Sequence, residues 1–334
     1  MPLLGCIGPY HLRQAAGEIR ILASARPIAD VLVDPVVPAS VRAGLTTIES
    51  ILDYARAHGF HTDGAYSSFV DLGARPAVYV LSAARPDELA LYTWSFPFVG
   101  RFPYKGYFDR DAARRGEQKL KADGYETLVG GTAAFSTLGW LPDPVFSSFL
   151  NGSIGDRAEL LFHELTHRTV FFADDVAFNE SLATFIGYKT AVTYLTATYG
   201  EESAELREHV AAHGDAERLA AALARARAAL EVAFRAPERD TRLAARERIF
   251  TELTHELAST DFESAEYQAW RRAAWSLPLL LSFDLYRGEV ELFERAWRAC
   301  GGDVARLLAT LQQMPTHDGG GVARLRTWLK DVDG

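Results

Sequence analysis

Apolar residues along this chain fall into two rhythms, and the change between them divides it. Leu12, Ala15, Ala16, Ile19, Leu22 and Ala23 recur every three or four positions, which predicts a helix over residues 9 to 24. Residues 40 to 57 repeat that spacing, with Ser40 in the N-cap position and Gly59 just past the end. From Ala77 to Leu81 the pattern turns to Val78, Tyr79 and Val80, whose branched and aromatic side chains favour extended backbone. Short strands are expected there, at residues 93–96, around Tyr107, and at 126–129 and 132–135, with a helix over 110–123 closed by Gly124. Beyond residue 186 the helical rhythm returns. Leu206, Val210, Leu219, Leu223, Ala226, Leu230 and Phe234 form one stripe, and after Pro237 Leu243, Ile249, Phe250, Leu253 and Leu257 form a second. Antiparallel pairing of the two helices would bury both stripes.

Between the strand-rich and helical regions stands Leu160-Leu161-Phe162-His163-Glu164-Leu165-Thr166-His167, followed by Phe178-Asn179-Glu180-Ser181. Two histidines four apart share one helical face, so both imidazoles can reach one metal ion, and Glu164 beside them can take a proton from the attacking water. Asp156 is a plausible N-cap for this helix. The run Ala173-Asp174-Asp175 interrupts the periodicity and a second helix resumes at Asn179, which brings Glu180 back toward the histidines. His163, His167 and Glu180 therefore make a zinc ligand set with an open fourth position, and Asp174 and Asp175 are competing carboxylates. Thr184 and Asn179 could orient the ligands or simply serve the helix. Thr254-His255-Glu256-Leu257 echoes the motif, but Ser259 occupies the place of a second histidine, and no role is assigned to His255 or to His11, His58, His61, His209, His213 and His317.

Composition narrows the partners. With 48% hydrophobic and 11% aromatic residues the chain can bury a large core. Its 35 basic and 44 acidic residues give a net charge of −9, and no basic tract is interleaved with aromatics, so a nucleic-acid partner is not expected. No run of some 18 apolar residues offers a membrane span. Cys6 and Cys300 are too few for a disulfide framework. Leu3-Leu4-Gly5-Cys6 resembles a bacterial lipoprotein cleavage box, but only five residues precede Cys6, too few for a signal peptide. The literal expectation is a cytoplasmic protein; an upstream start would make it a lipoprotein exported through Cys6.

The spacing of His163-Glu164-Leu165-Thr166-His167 and Asn179-Glu180-Ser181-Leu182-Ala183 resembles the gluzincin metallopeptidases, whose aminopeptidase branch carries N-E-G-F-A after H-E-x-x-H. A bacterial family of putative aminopeptidases is more similar. Its resemblance runs through Leu4-Gly5-Cys6, Gln14-Ala15-Ala16-Gly17-Glu18, Arg26-Pro27-Ile28, Tyr104-Lys105-Gly106-Tyr107-Phe108, Gly130-Gly131, Ser136-Thr137-Leu138-Gly139-Trp140, Asp143-Pro144 and the metal motif. Two positions depart from it: Phe135 stands where the family commonly has tyrosine, and Ser276-Leu277-Pro278 replaces a stretch of Asn-Asn-Ala.

The residue pattern predicts an α+β fold, mostly helical, with a small mixed β-sheet and a C-terminal helical lobe, and the resemblance adds a gluzincin-like core. The expected divisions are residues 1–155 for the N-terminal helices and sheet, 156–190 for the zinc-binding helices and 191–334 for the lobe. The resemblance also implies one zinc ion, a peptide substrate and aminopeptidase activity, with an edge strand near 130–138 to hold the peptide, although Gly130-Gly131 reads equally as a turn. Among the tyrosines Tyr107 is the candidate to stabilise the oxyanion. A processing endopeptidase and a non-catalytic peptide-binding descendant are the alternative readings.

Overall fold

The computed structural model describes residues 23–73, 75–76, 78–96, 100–132, 143–173, 175–283, 289–314 and 320–333. The fold is a mostly helical α+β arrangement, 64% helix among the described residues, whose strands form small sheets of two or three. The described chain forms two compact units, each assembled from separate stretches: residues within 74–134 and 210–283 make the first, and residues within 25–73, 135–209 and 284–334 the second. The helix expected at 9–24 lies, apart from its last two residues, outside the described residues, as does Cys6.

The second unit opens with β1 (Arg26–Pro27), α1 (Ile28–Val33) and α2 (Ala39–Ala57). Pro38, not Ser40, occupies the N-cap of α2. Proline has no N–H to leave unpaired and its ring already holds φ at −53°, so it starts the helix two residues before the serine. At the other end Gly59 takes φ +85°, a conformation glycine adopts without strain. Next comes β2 (Ser68–Val70), antiparallel to β1.

In the first unit β3 (Val78–Ala84) is the central strand of its sheet. The pair β4 (Trp94–Phe96) and β5 (Gly100–Phe102) forms a separate ribbon, and β6 (Lys105–Tyr107) returns to pair with β3. Then α3 (Arg110–Ala122), capped by the Asp109 side chain and ended at Gly124, crosses to β7 (Glu126–Thr132). Leu81, Ala83, Tyr107, Ala113 and Leu120 bury one another between sheet and helix. Two strands and a turn were expected where β7 runs as one strand. Gly130 and Gly131 pair in register with Val80 and Tyr79, so a continuous ladder overrides the local turn preference. Gly131 is needed there, because a Cβ would stand 2.6 Å from Cβ of Pro76. Among the described residues β7 is paired on one side only, as an edge strand should be; residues 133–138 of the expected edge lie outside them.

Back in the second unit, β8 (Val145–Phe146) adds a parallel partner to β2. A turn of 3₁₀ helix leads into α4 (Ile154–Thr169). Here Ser153 is the N-cap and Asp156 the third helical residue, each bonding the other's backbone N–H at 3.1 and 2.8 Å; Asp156 closes the box instead of starting the helix. After a short connection α5 (Val176–Tyr199) begins, capped by Asp175. The Asn179 side chain accepts from Phe172 N at 2.9 Å and donates to Phe172 O at 2.7 Å, fixing that connection. On the buried side Phe162 meets Tyr54, Phe60 and Tyr194, contacts worth about 2–3 kcal/mol per fully buried ring.

Two long helices follow, α6 (Ala204–Ala233) and α7 (Arg239–Ser259). Leu219, Leu223, Ala226 and Leu230 share one core with Ile249, Phe250, Leu253 and Leu257. Val210, expected in the same stripe, is 45% exposed, so the stripe is buried from Leu219 onward. Leu277 and Leu280 of α8 (Leu277–Ser282) join that core, and Ser276 caps this helix, which is what the Ser276-Leu277-Pro278 departure does locally. The second unit is completed by α9 (Val290–Ala299), α10 (Val304–Gln312) and α11 (Gly321–Asp333), with Phe293 against Phe178 and Phe185. Among the described residues no helix is long and apolar enough to cross a membrane.

Candidate metal centre

His163 and His167 project from one face of α4, their rings nearly perpendicular and their Nε2 atoms 3.1 Å apart. Glu180, in the second turn of α5, reaches both: Oε2 lies 3.4 Å from His163 Nε2 and Oε1 3.7 Å from His167 Nε2. A tetrahedral ion with bonds of 2.0–2.1 Å spaces its ligand atoms about 3.3–3.4 Å apart. Glu180 offers a different oxygen to each histidine, and one ligand atom from each of the three residues lies within 4.8 Å of the others, close enough for one ion to draw them together; two imidazoles and a carboxylate are a donor set that suits zinc. No other group of three or more such ligands occurs among the described residues.

Charge in the cluster is balanced internally. Burial works against the Glu180 carboxylate, but hydrogen bonds from the two histidines overcome it and bring its pKa down to about 2. His167 is shifted the other way: burial opposes its proton, and the adjacent Glu180 and Glu164 outweigh burial. Behind His163, Thr184 Oγ1 is 3.4 Å from Nδ1, at the outer limit of a hydrogen bond that would set the ring's orientation.

Glu164 is partly buried, and that burial raises its pKa against the pull of His163 and His167, with Glu180 and Asp143 adding to the rise. A carboxylate held above its ordinary range is a better proton acceptor near neutral pH. With the sequence profile of a family described as putative aminopeptidase, the match runs over residues 9–319. The chain belongs to this putative aminopeptidase family. No curated protein and no solved structure matches it.

Among the other residues singled out in this family member, Asp175 is engaged as the cap of α5 and as acceptor for Gly321 N at 2.9 Å, so it is committed to structure. Asp174 lies outside the described residues. Tyr107 is a core residue of the first unit, 7% exposed, packed with Leu81 and Ala113. His255 is exposed on α7, whereas His209, expected to be unremarkable, is 2% exposed with Nε2 3.5 Å from Glu159 Oε2.

Three residues near Glu164 are given no role by the sequence, although Asp143-Pro144 is part of the family resemblance. Tyr66 is buried with a left-handed backbone, φ +58°, and its N–H donates to Asp143 O at 2.6 Å. Asp143 Oδ2 faces Arg168 Nη1 at 3.7 Å, with both side chains buried. Burial pushes the Tyr66 phenol far above its usual range, with Glu164 and Asp143 adding to this and Arg168 opposing it. Arg168 alone carried a readable signal, its position four residues after Glu164; Tyr66 and Asp143 are distant in sequence.

Proposed function

We propose that this protein is a zinc-dependent aminopeptidase with a gluzincin-type centre, acting on peptides. The observation that supports the reading is the convergence of His163, His167 and Glu180 on one point, with a partly buried Glu164 of raised pKa beside them. Once bound, the ion would polarise the scissile carbonyl and acidify a water molecule. Glu164 accepts the proton of the attacking water and hands it to the departing amine, and burial of its carboxyl group suits both halves of that transfer. His163 and His167 would hold the ion through their imidazoles, and Thr184 would orient the first of them through Nδ1.

Zinc content and hydrolysis of amino-acid anilides and short peptides test this directly, for the natural protein and for Glu164→Gln. The expected result is one zinc in both, with activity in the natural protein only. A zinc-loaded natural protein inactive on every peptide overturns the reading. Acetylating the substrate's N-terminus separates exopeptidase from endopeptidase action, since only an endopeptidase continues to cleave.

A further inference from the structure

A second charged side chain shares the face of α4 that carries Glu164. Arg168 follows it by four residues, so the two side chains stand about one turn apart, about 6 Å along the axis. Its side chain is only 8% exposed, yet neither Nε nor Nη1 makes a hydrogen bond. The carboxylate it pairs with, Asp143, is 3.7 Å from Nη1, close enough for charge attraction and too far for a hydrogen bond. A guanidinium stripped of water normally uses its planar fork on two oxygens at once. Here the charge is held in place with Nε and Nη1 enclosed and their hydrogen-bonding capacity unused among the described residues.

The surroundings say what belongs there. Tyr66 holds the Asp143 carbonyl oxygen at 2.6 Å and lies within electrostatic reach of Glu164, Asp143 and Arg168 together, so these four side chains occupy one region of the second unit. In the proposed reaction Glu164 must reach both the attacking water and the departing nitrogen, which places the leaving residue over Glu164. That residue's carboxyl carbon is two bonds from the departing nitrogen. The arginine one turn further along the helix is thus placed to meet it.

We propose that Arg168 is a substrate-recognition residue that receives the α-carboxylate of the leaving residue, so that the preferred substrates are dipeptides. The assignment rests on the peptidase reading for its orientation, but it can be measured without turnover. A dipeptide ends in a planar anion at the required position, whereas a longer peptide or a C-terminal amide presents a neutral carbonyl there.

The test is calorimetric titration of the zinc-loaded Glu164→Gln protein with leucyl-alanine and with leucyl-alanine amide. With Arg168 present the acid should bind at least about tenfold more tightly than the amide, the scale of a charge-assisted bidentate contact. Adding Arg168→Gln should bring the two ligands within about twofold of each other, with Arg168→Lys intermediate and the zinc content unchanged. Equal binding of acid and amide when Arg168 is present overturns the proposal, and needs no Arg168 variant to be seen. Discrimination that survives Arg168→Gln overturns it too. Hydrolysis of both ligands by the natural protein without preference would remove the Arg168 role and leave the peptidase reading standing; discrimination in binding without hydrolysis by the natural protein would do the reverse.

Discussion

Gly187 on α5 lies directly against the backbone of His163 on α4: a Cβ at Gly187 would be 3.3 Å from both N and Cβ of His163 and 2.9 Å from the carbonyl oxygen of Glu159. No flexible side chain can yield there, because the obstacle is helix backbone.

Gly187→Ala should therefore push the two helices apart and cost about 1–3 kcal/mol, the range for overpacking a tight contact. Zinc affinity should fall with it, since His163 and Glu180 sit on opposite sides of this contact. Urea unfolding and competition with a zinc chelator would read the two effects; an alanine variant with unchanged midpoint and unchanged affinity would show that the helices yield freely.

Glu180→Ala should abolish stoichiometric zinc while leaving α5 folded. Asp175→Ala should show the opposite, full zinc with a stability loss of about 1–2 kcal/mol, because that carboxylate caps the helix instead of binding the ion. Metal analysis beside thermal unfolding distinguishes them, and zinc loss in Asp175→Ala would reopen its claim as a ligand.

Thr184→Val keeps shape and removes the hydroxyl beside His163 Nδ1. Zinc affinity should drop about tenfold, the low end for a group that orients a ligand, with little change in unfolding. Undiminished affinity would assign Thr184 to the helix alone.

Acid stability depends on a residue far from this chemistry in sequence. Asp215 is wholly enclosed, and although burial opposes its charge, N–H groups of Ser264 and Glu263 at 2.7 and 3.1 Å and the Arg218 side chain hold its pKa below 3.8. A depressed folded-state pKa stabilises above the unfolded value and loses that stabilisation as pH falls through the folded one. Asp215→Asn should cost about 2–3 kcal/mol at neutral pH. It should also flatten the decline of stability below pH 3.8, as seen in unfolding midpoints across pH 2–6. A decline as steep as that of the natural protein would exclude Asp215 as a contributor.

What the sequence made legible follows from distance along the chain. The metal set was readable because helix spacing fixes His163 against His167 and one short connection returns Glu180. The paired stripes of α6 and α7 were readable for the same reason. Boundaries failed where a neighbour outcompeted a favoured residue, as Pro38 did at Ser40 and Ser153 at Asp156. At Gly130 and Gly131 the strand-long register with β3 was invisible to local pattern. Tyr66 and Asp143 approach Glu164 only through the tertiary fold, and a left-handed tyrosine has no sequence signature. The candidacy of Tyr107 rests on its place in the segment shared with the family, and a core tyrosine reads the same in sequence; it packs with Leu81 and Ala113.

Asn179 closes both hydrogen bonds of Phe172 with a single amide, so the connection between the helices is tied to the residue immediately before Glu180. Successive side chains on a helix point about 100° apart. Had the tie been one position earlier or later, the carboxylate would have swung away from the imidazoles by that angle. The connection thus acts as an indexing stop: it counts α5 into phase with α4, and an insertion between Phe172 and Asn179 has to preserve that phase or carry Glu180 away from His163 and His167.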